Sequence, residues 1–144
     1  MEAQTVLDTT ETDLDLKALI EEALWTIDTV RVSNPPLEVL VKEGHAIVRG
    51  IVGARAIQSQ VMEAVDSVPG LSEVTFELLN DDDLEYAAAH ALATDSRTRS
   101  IRPGYRLMSH DGHIQVFGKF TGEETSAAKE VIKSVAGVRG VKVG

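Results

Sequence analysis

Gly44-His45-Ala46-Ile47-Val48-Arg49-Gly50 returns 68 positions later as Gly112-His113-Ile114-Gln115-Val116-Phe117-Gly118. In the second version Ile114, Val116, Gly118 and Phe120 alternate with Gln115, Phe117 and Lys119, the period-two pattern of a half-buried strand. Just upstream stand Lys42-Glu43-Gly44 and His110-Asp111-Gly112. Asp-Gly between strand-like runs marks a hairpin, because glycine takes positive φ without strain. Middle strands are therefore expected at about 46–52 and 113–120. Each is entered from a hairpin whose first strand covers about 37–41 or 105–109.

The likeness extends in both directions. Residues 15–50 laid on 83–118 share eleven identities in 36 positions, Asp15, Leu16, Leu24, Arg31 and Pro35 among them. Chance would give roughly two or three. A one-residue gap resets the shift to 67, and Glu63, Ser67, Val68, Gly70 and Val74 then fall on Glu130, Ser134, Val135, Gly137 and Val141. A repeat of this length is a duplicated small domain, not one turn of a solenoid. A unit of about 65 residues buries only roughly 60% of its unfolded surface, so each copy is expected to lean on the other or on a second chain.

Helical spacing frames each hairpin. Leu16, Leu19, Ile20, Ala23, Leu24 and Ile27 form one apolar stripe, with Thr12 as the expected N-cap. Leu84, Ala87, Ala88, Ala91 and Leu92 repeat it behind Asp81, Asp82 and Asp83, which are expected to cap that helix. Asn34-Pro35-Pro36 and Arg102-Pro103-Gly104 interrupt the chain before the hairpins. A second helix is expected over about 54–68, and its counterpart begins at Thr121, where Glu124 completes a capping-box spacing. Gly70 and Gly137 end these helices, and Val74-x-Phe76-x-Leu78 and Val141-x-Val143 supply the last strands. Residues 1–12 show no such period and are expected as a flexible acidic tail. The expected fold is α+β: two tandem α-β-β-α-β units, 13–80 and 81–144, each with two helices packed on one face of a three-stranded mixed sheet.

Composition narrows the function. The chain has 144 residues, a net charge of −9 and no cysteine, which excludes disulfides and thiolate chemistry. No apolar run approaches the ~20 residues of a membrane span, and the polar start lacks an apolar leader, so a cytoplasmic protein is expected, with peripheral membrane association open to it. Residues 1–80 carry five basic and fourteen acidic side chains, and residues 81–144 carry nine of each. The acidic first half argues against nucleic acid as a partner.

The order α-β-β-α-β, the glycines at 44, 50, 112 and 118, and the endings Val68-Pro69-Gly70-Leu71 and Val135-Ala136-Gly137-Val138 together resemble the BON domain (bacterial OsmY and nodulation), in tandem over about 13–144. The resemblance implies a non-catalytic module, associated with bacterial envelopes and stress, that binds phospholipid or joins proteins to membranes. It implies no cofactor.

The remaining candidates are read from the residues. No serine stands in a nucleophile-elbow context, so an enzyme is not expected. His45 and His113 follow turn glycines and read as structural. His110-Asp111-Gly112-His113 offers metal-like ligands, yet copy one has Lys42 in the place of His110, so no metal is expected. Arg97, Arg99, Arg102 and Arg106, with Tyr105 among them, form either a solvated loop or an anion-binding edge for lipid headgroups, phosphate or an acidic protein surface. Trp25 reads as an interface anchor rather than peripheral core. Gly44, Gly50, Gly70, Gly112, Gly118 and Gly137 are assigned to structural turns. The expected partners are an anionic phospholipid or membrane-associated protein, or alternatively a second copy in a soluble, self-associating adaptor.

Overall fold

The computed structural model describes the backbone of residues 2–144 and the side chains of residues 12–144. The chain divides into two compact units, Met1–Val52 with Ala56–Leu78, and Gly53–Arg55 with Leu79–Gly144. The elements run α1 (Glu2–Trp25), α2 (Asp28–Ser33), β1 (Glu38–Lys42), β2 (His45–Val52), α3 (Arg55–Asp66), β3 (Glu73–Asn80), α4 (Asp81–Thr94), β4 (Arg106–His110), β5 (His113–Phe117), α5 (Gly122–Lys133) and β6 (Gly140–Val143). They build two three-stranded mixed sheets, ordered β1-β2-β3 and β4-β5-β6, each with its helices packed on one face. This is the α+β architecture expected from the repeat.

The hairpins explain the recurring stretch. Lys42 faces His45 and His110 faces His113, so each turn has two central residues. Glu43 and Gly44 have φ of 53° and 79°, and Asp111 and Gly112 have 50° and 81°. Positive φ at both positions is the type I′ geometry whose twist suits a hairpin. The turn carbonyls are used identically: the Ser72 N–H donates to Gly44 O at 2.9 Å and the Arg139 N–H to Gly112 O at 2.8 Å. These bonds bring the last strand of each unit beside its middle strand, and β6 runs parallel to β5.

The strand alternation divides inside from outside. In the first unit Val39, Ala46, Val48 and Val52 meet Ile20 and Leu24 of α1, Val30 of α2 and Val61 and Val65 of α3 in one buried cluster. In the second, Ile114 and Val116 of β5 are buried, as are Leu84, Ala88 and Leu92 of α4 and Ala128, Val131 and Ile132 of α5. Thr98 is also buried, its hydroxyl donating to Leu92 O at 2.7 Å.

Four local expectations are corrected. Thr12 is not an N-cap, because α1 is continuous from Glu2 and takes in most of the segment expected as a tail; the side chains of residues 1–11 lie outside the described residues. The stripe through Ile27 is broken after Trp25, where Ile27 precedes the separate short helix α2, itself closed by left-handed Asn34 ahead of Pro35-Pro36. The cap of α4 is Asn80, whose Oδ1 accepts the Asp83 N–H at 2.7 Å, so Asp81 is released for another task. Strand β5 ends at Phe117, three residues before the expected limit. At Thr121 the capping box forms as expected.

Candidate functional site

The arginines of the segment have different surroundings. Arg97 is clasped by Asp95, with Nε on Oδ1 and Nη2 on Oδ2, both at 3.0 Å, and its Nη1 lies 3.5 Å from Glu130 of α5. Arg106, on β4, holds its guanidinium 5.9 Å from the centre of the Phe117 ring, a cation–π distance. Tyr105 packs against Phe120 at 5.9 Å between ring centres. Arg99 and Arg102 are exposed and form no ion pair among the described residues. Trp25 is 56% exposed at the end of α1 and contributes its carbonyl to Arg31 Nη1 at 3.0 Å.

The Arg97 clasp has a pH signature. Hydrogen bonds from the Arg97 side chain, then from its backbone N–H, with the nearby positive charge, hold the Asp95 carboxyl down to about 2. An unfolded aspartate titrates near ~3.9. The folded value is the lower one, so the contribution is complete above the unfolded value and disappears as pH falls through the folded value. Arg97→Met should move the Asp95 titration part of the way back toward ~4, because the backbone N–H of residue 97 still donates to Oδ1. It should also weaken the contribution of Asp95 to the acid-unfolding profile between about pH 4 and 2. Carboxyl-detected NMR of the two proteins checks both.

Each sheet has helices on one face only, and its other face carries the outward residues of the alternation. On the first sheet these include Glu38, Leu40 and Lys42 of β1, His45, Ile47 and Arg49 of β2, and Glu73, Thr75 and Glu77 of β3. They pair across strands: Arg49 Nε lies 2.9 Å from Glu77, and His45 sits 2.8 Å from the Thr75 hydroxyl and 3.9 Å from Glu73. On the second sheet the corresponding positions are Arg106, Met108 and His110, then His113, Gln115 and Phe117, then Gly140 and Lys142. Met108 is 56% exposed, and a groove lined by Met108, His113, Phe117 and Lys142 runs over this face. His113 lies over Gly140, where an added Cβ would come within 2.7 Å of its Nδ1. Among the described residues, the carboxylate and hydroxyl that hold His45 have no counterpart around His113.

A second duplicated feature holds the hairpins in place. Asp81, 4% exposed, accepts the Ser109 hydroxyl at 2.6 Å, the Asp111 N–H at 2.9 Å and the Gly112 N–H at 3.0 Å. Asp13 does the same in the first unit, accepting the Glu43 N–H at 2.9 Å and the Gly44 N–H at 3.1 Å. A helix carboxylate thus satisfies the two turn amides that the hairpin itself leaves without partners. Asp81, His110 and Asp111 also lie close enough together to suggest a cation site. Three protein donors already share the Asp81 oxygens there.

Among the glycines assigned to turns, Gly44, Gly70, Gly112 and Gly137 have positive φ, while Gly50 and Gly118 differ from each other despite their matched positions.

A scan against protein-family models finds no match, and no curated protein matches the chain. Among solved structures the chain is similar to CdsD, a structural protein of the type III secretion system of Chlamydia trachomatis. In one structure the TM-score is 0.58 at 16% identity, covering 85% of this chain and 61% of that one. A structure of the CdsD C-terminal domain gives 0.59 at 17% identity, covering 85% and 65%. The chain therefore spans less than two thirds of the length of either. What this likeness shows is a common fold. No helix among the described residues is long and apolar enough to cross a membrane.

Proposed function

We propose that the chain is a pair of BON-like units forming a non-catalytic binding module, which docks an acidic protein surface on the helix-free face of its second sheet. The observation that carries this reading is the composition of that face. Met108 and Phe117 supply apolar area, Arg106 and Lys142 supply charge, and no carboxylate stands on its strands. Interfaces concentrate aromatic, Met and Arg side chains in the same way. The fold shared with a secretion-system structural protein is in keeping with a role in assembly.

Anionic phospholipid is the second reading, favoured by the exposed guanidinium groups of Arg99 and Arg102, and it would place the protein at the cytoplasmic periphery of a membrane. Arg97 is engaged by Asp95 and Glu130, which leaves three arginines in the segment. At about 1 kcal/mol each they supply ~3 kcal/mol, an affinity of only several millimolar. The protein reading is therefore the stronger.

Two titrations separate them. A peptide alternating glutamate and leucine should shift the amide signals of Met108, Gln115 and Phe117, while phosphatidylglycerol vesicles should leave the protein unbound in flotation. Flotation with phosphatidylglycerol but not phosphatidylcholine, lost in Arg99→Glu/Arg102→Glu, would replace the protein reading with the lipid one.

A further inference from the structure

The two helix-free faces derive from one repeated sequence, and they have diverged in opposite directions. At the shift of 68, Glu38 of β1 becomes Arg106 of β4. At the shift of 67, Glu73, Thr75 and Glu77 of β3 become Gly140, Lys142 and Gly144. Every glutamate on the strands of the first face is thus lost from the second, while the two cations only change place, Lys42 and Arg49 becoming His110 and Phe117 as Arg106 and Lys142 appear, so three acids beside two cations become two cations alone. The apolar centre persists on both, as Leu40, 41% exposed, and Met108, 56% exposed, again 68 positions apart.

We propose that copies of this chain associate head to tail, with the first-sheet face of one copy on the second-sheet face of the next. This rests on the reading of the second face as a protein-docking surface, and it names the partner as a second copy. The argument is charge complementarity around a shared apolar centre. Glu38 and Glu73 of one copy meet Arg106 and Lys142 of the next, and Leu40 meets Met108. Two second-sheet faces cannot pair as well, because they would set cation against cation. A contact between two different surfaces leaves one of each free on a pair held by a single contact, and a further copy can add there. Three strands ~4.8 Å apart form a small face, so each contact falls below the ~1,200 Å² of standard interfaces and is weak and reversible.

The test uses sedimentation velocity on the full chain with two matched variants, Leu40→Asp and Met108→Asp. Both positions are exposed, and each variant spoils one face. Wild-type protein should grow in mass from micromolar to millimolar concentration and lose that growth in added salt. Each variant alone should associate roughly tenfold or more weakly. An equimolar mixture of the two should form a one-to-one pair and nothing larger, since only one intact face remains on each partner. That recovery also shows that both variants are folded. A wild-type monomer at every concentration overturns the inference, as does undiminished self-association of either variant. The glutamate–leucine peptide separates the two levels. Shifts at Met108 and Phe117 in a protein that stays monomeric leave the docking reading standing and remove only the second copy as partner. No shift and no self-association remove both.

Discussion

Asp81→Ala should destabilise the second unit by about 3 kcal/mol, whereas Asp13→Ala should cost the first only about 1 kcal/mol. Asp81 is 4% exposed and takes three donors, two of them backbone amides of the hairpin turn. Alanine would leave those amides and the Ser109 hydroxyl without a partner where water is scarce, and buried unsatisfied donors cost about 1–3 kcal/mol each. The full sum is not reached, because removing a buried carboxylate also recovers its own desolvation cost. Asp13 is half-buried and takes two donors, and the place of Ser109 is held by Val41, which has no hydroxyl to offer. In a unit of this size 3 kcal/mol lowers the melting temperature by about 12–24 °C. Amide exchange in β4 and β5 reports the second unit alone, which matters because two units need not unfold together. Asp81→Asn should fall between, since one side-chain oxygen remains to accept. Equal losses from Asp13→Ala and Asp81→Ala would contradict the account.

This pair of carboxylates marks what could and could not be read from sequence. The strands, the hairpins and the α+β class were legible because each depends on local periods and on turn residues. The alternation Ile114-x-Val116 defines a buried face by itself, and Asp111-Gly112 defines the turn. Asp13 and Asp81 obey the same shift of 68, two residues ahead of the aligned window, and that was the available signal. Their partners lie about thirty residues away, however, and no spacing rule connects a helix start to a turn amide. By spacing alone Asp81-Asp82-Asp83 looks like a local cap, a task that belongs to Asn80. The surroundings of the arginine segment were hidden for a related reason. Its charge was visible, but the clasp of Arg97 depends on Glu130 of α5, which only the fold brings near. The outward face of the second sheet was legible residue by residue as the polar phase of an alternation. Its meaning emerged only when the strands were ordered and Glu38, Glu73 and Glu77 could be set against their counterparts.

Gly50→Ala should cost the first unit about 4 kcal/mol, and the matched Gly118→Ala about 1 kcal/mol or less in the second. The two glycines are identical in the repeat and are held for different reasons. Gly50 has φ of 147°, in a region that side chains rarely enter, and a Cβ there would stand 2.4 Å from the carbonyl oxygen of Pro36 and 3.1 Å from the Leu37 Cα. Those are backbone atoms, fixed by the Pro35-Pro36 entry into β1, so relief requires moving the strand. The conformational strain of ~1–3 kcal/mol adds to that displacement. Gly118 has no positive φ, and its Cβ would meet the Phe120 ring edge and the Tyr105 Cβ, each at 3.0 Å. The Phe120 ring yields by rotation, and the Tyr105 Cβ, which moves only with its backbone, needs to give by just a few tenths of an ångström, so the cost stays well below that of the Pro36 clash. Urea unfolding of the two variants, followed by amide exchange in β2 and β5, measures the difference within one protein. A Gly118→Ala loss as large as that of Gly50→Ala would mean that the Tyr105–Phe120 pair is as immovable as backbone. The turn into α5 would then be a rigid element of the second unit rather than an adaptable one.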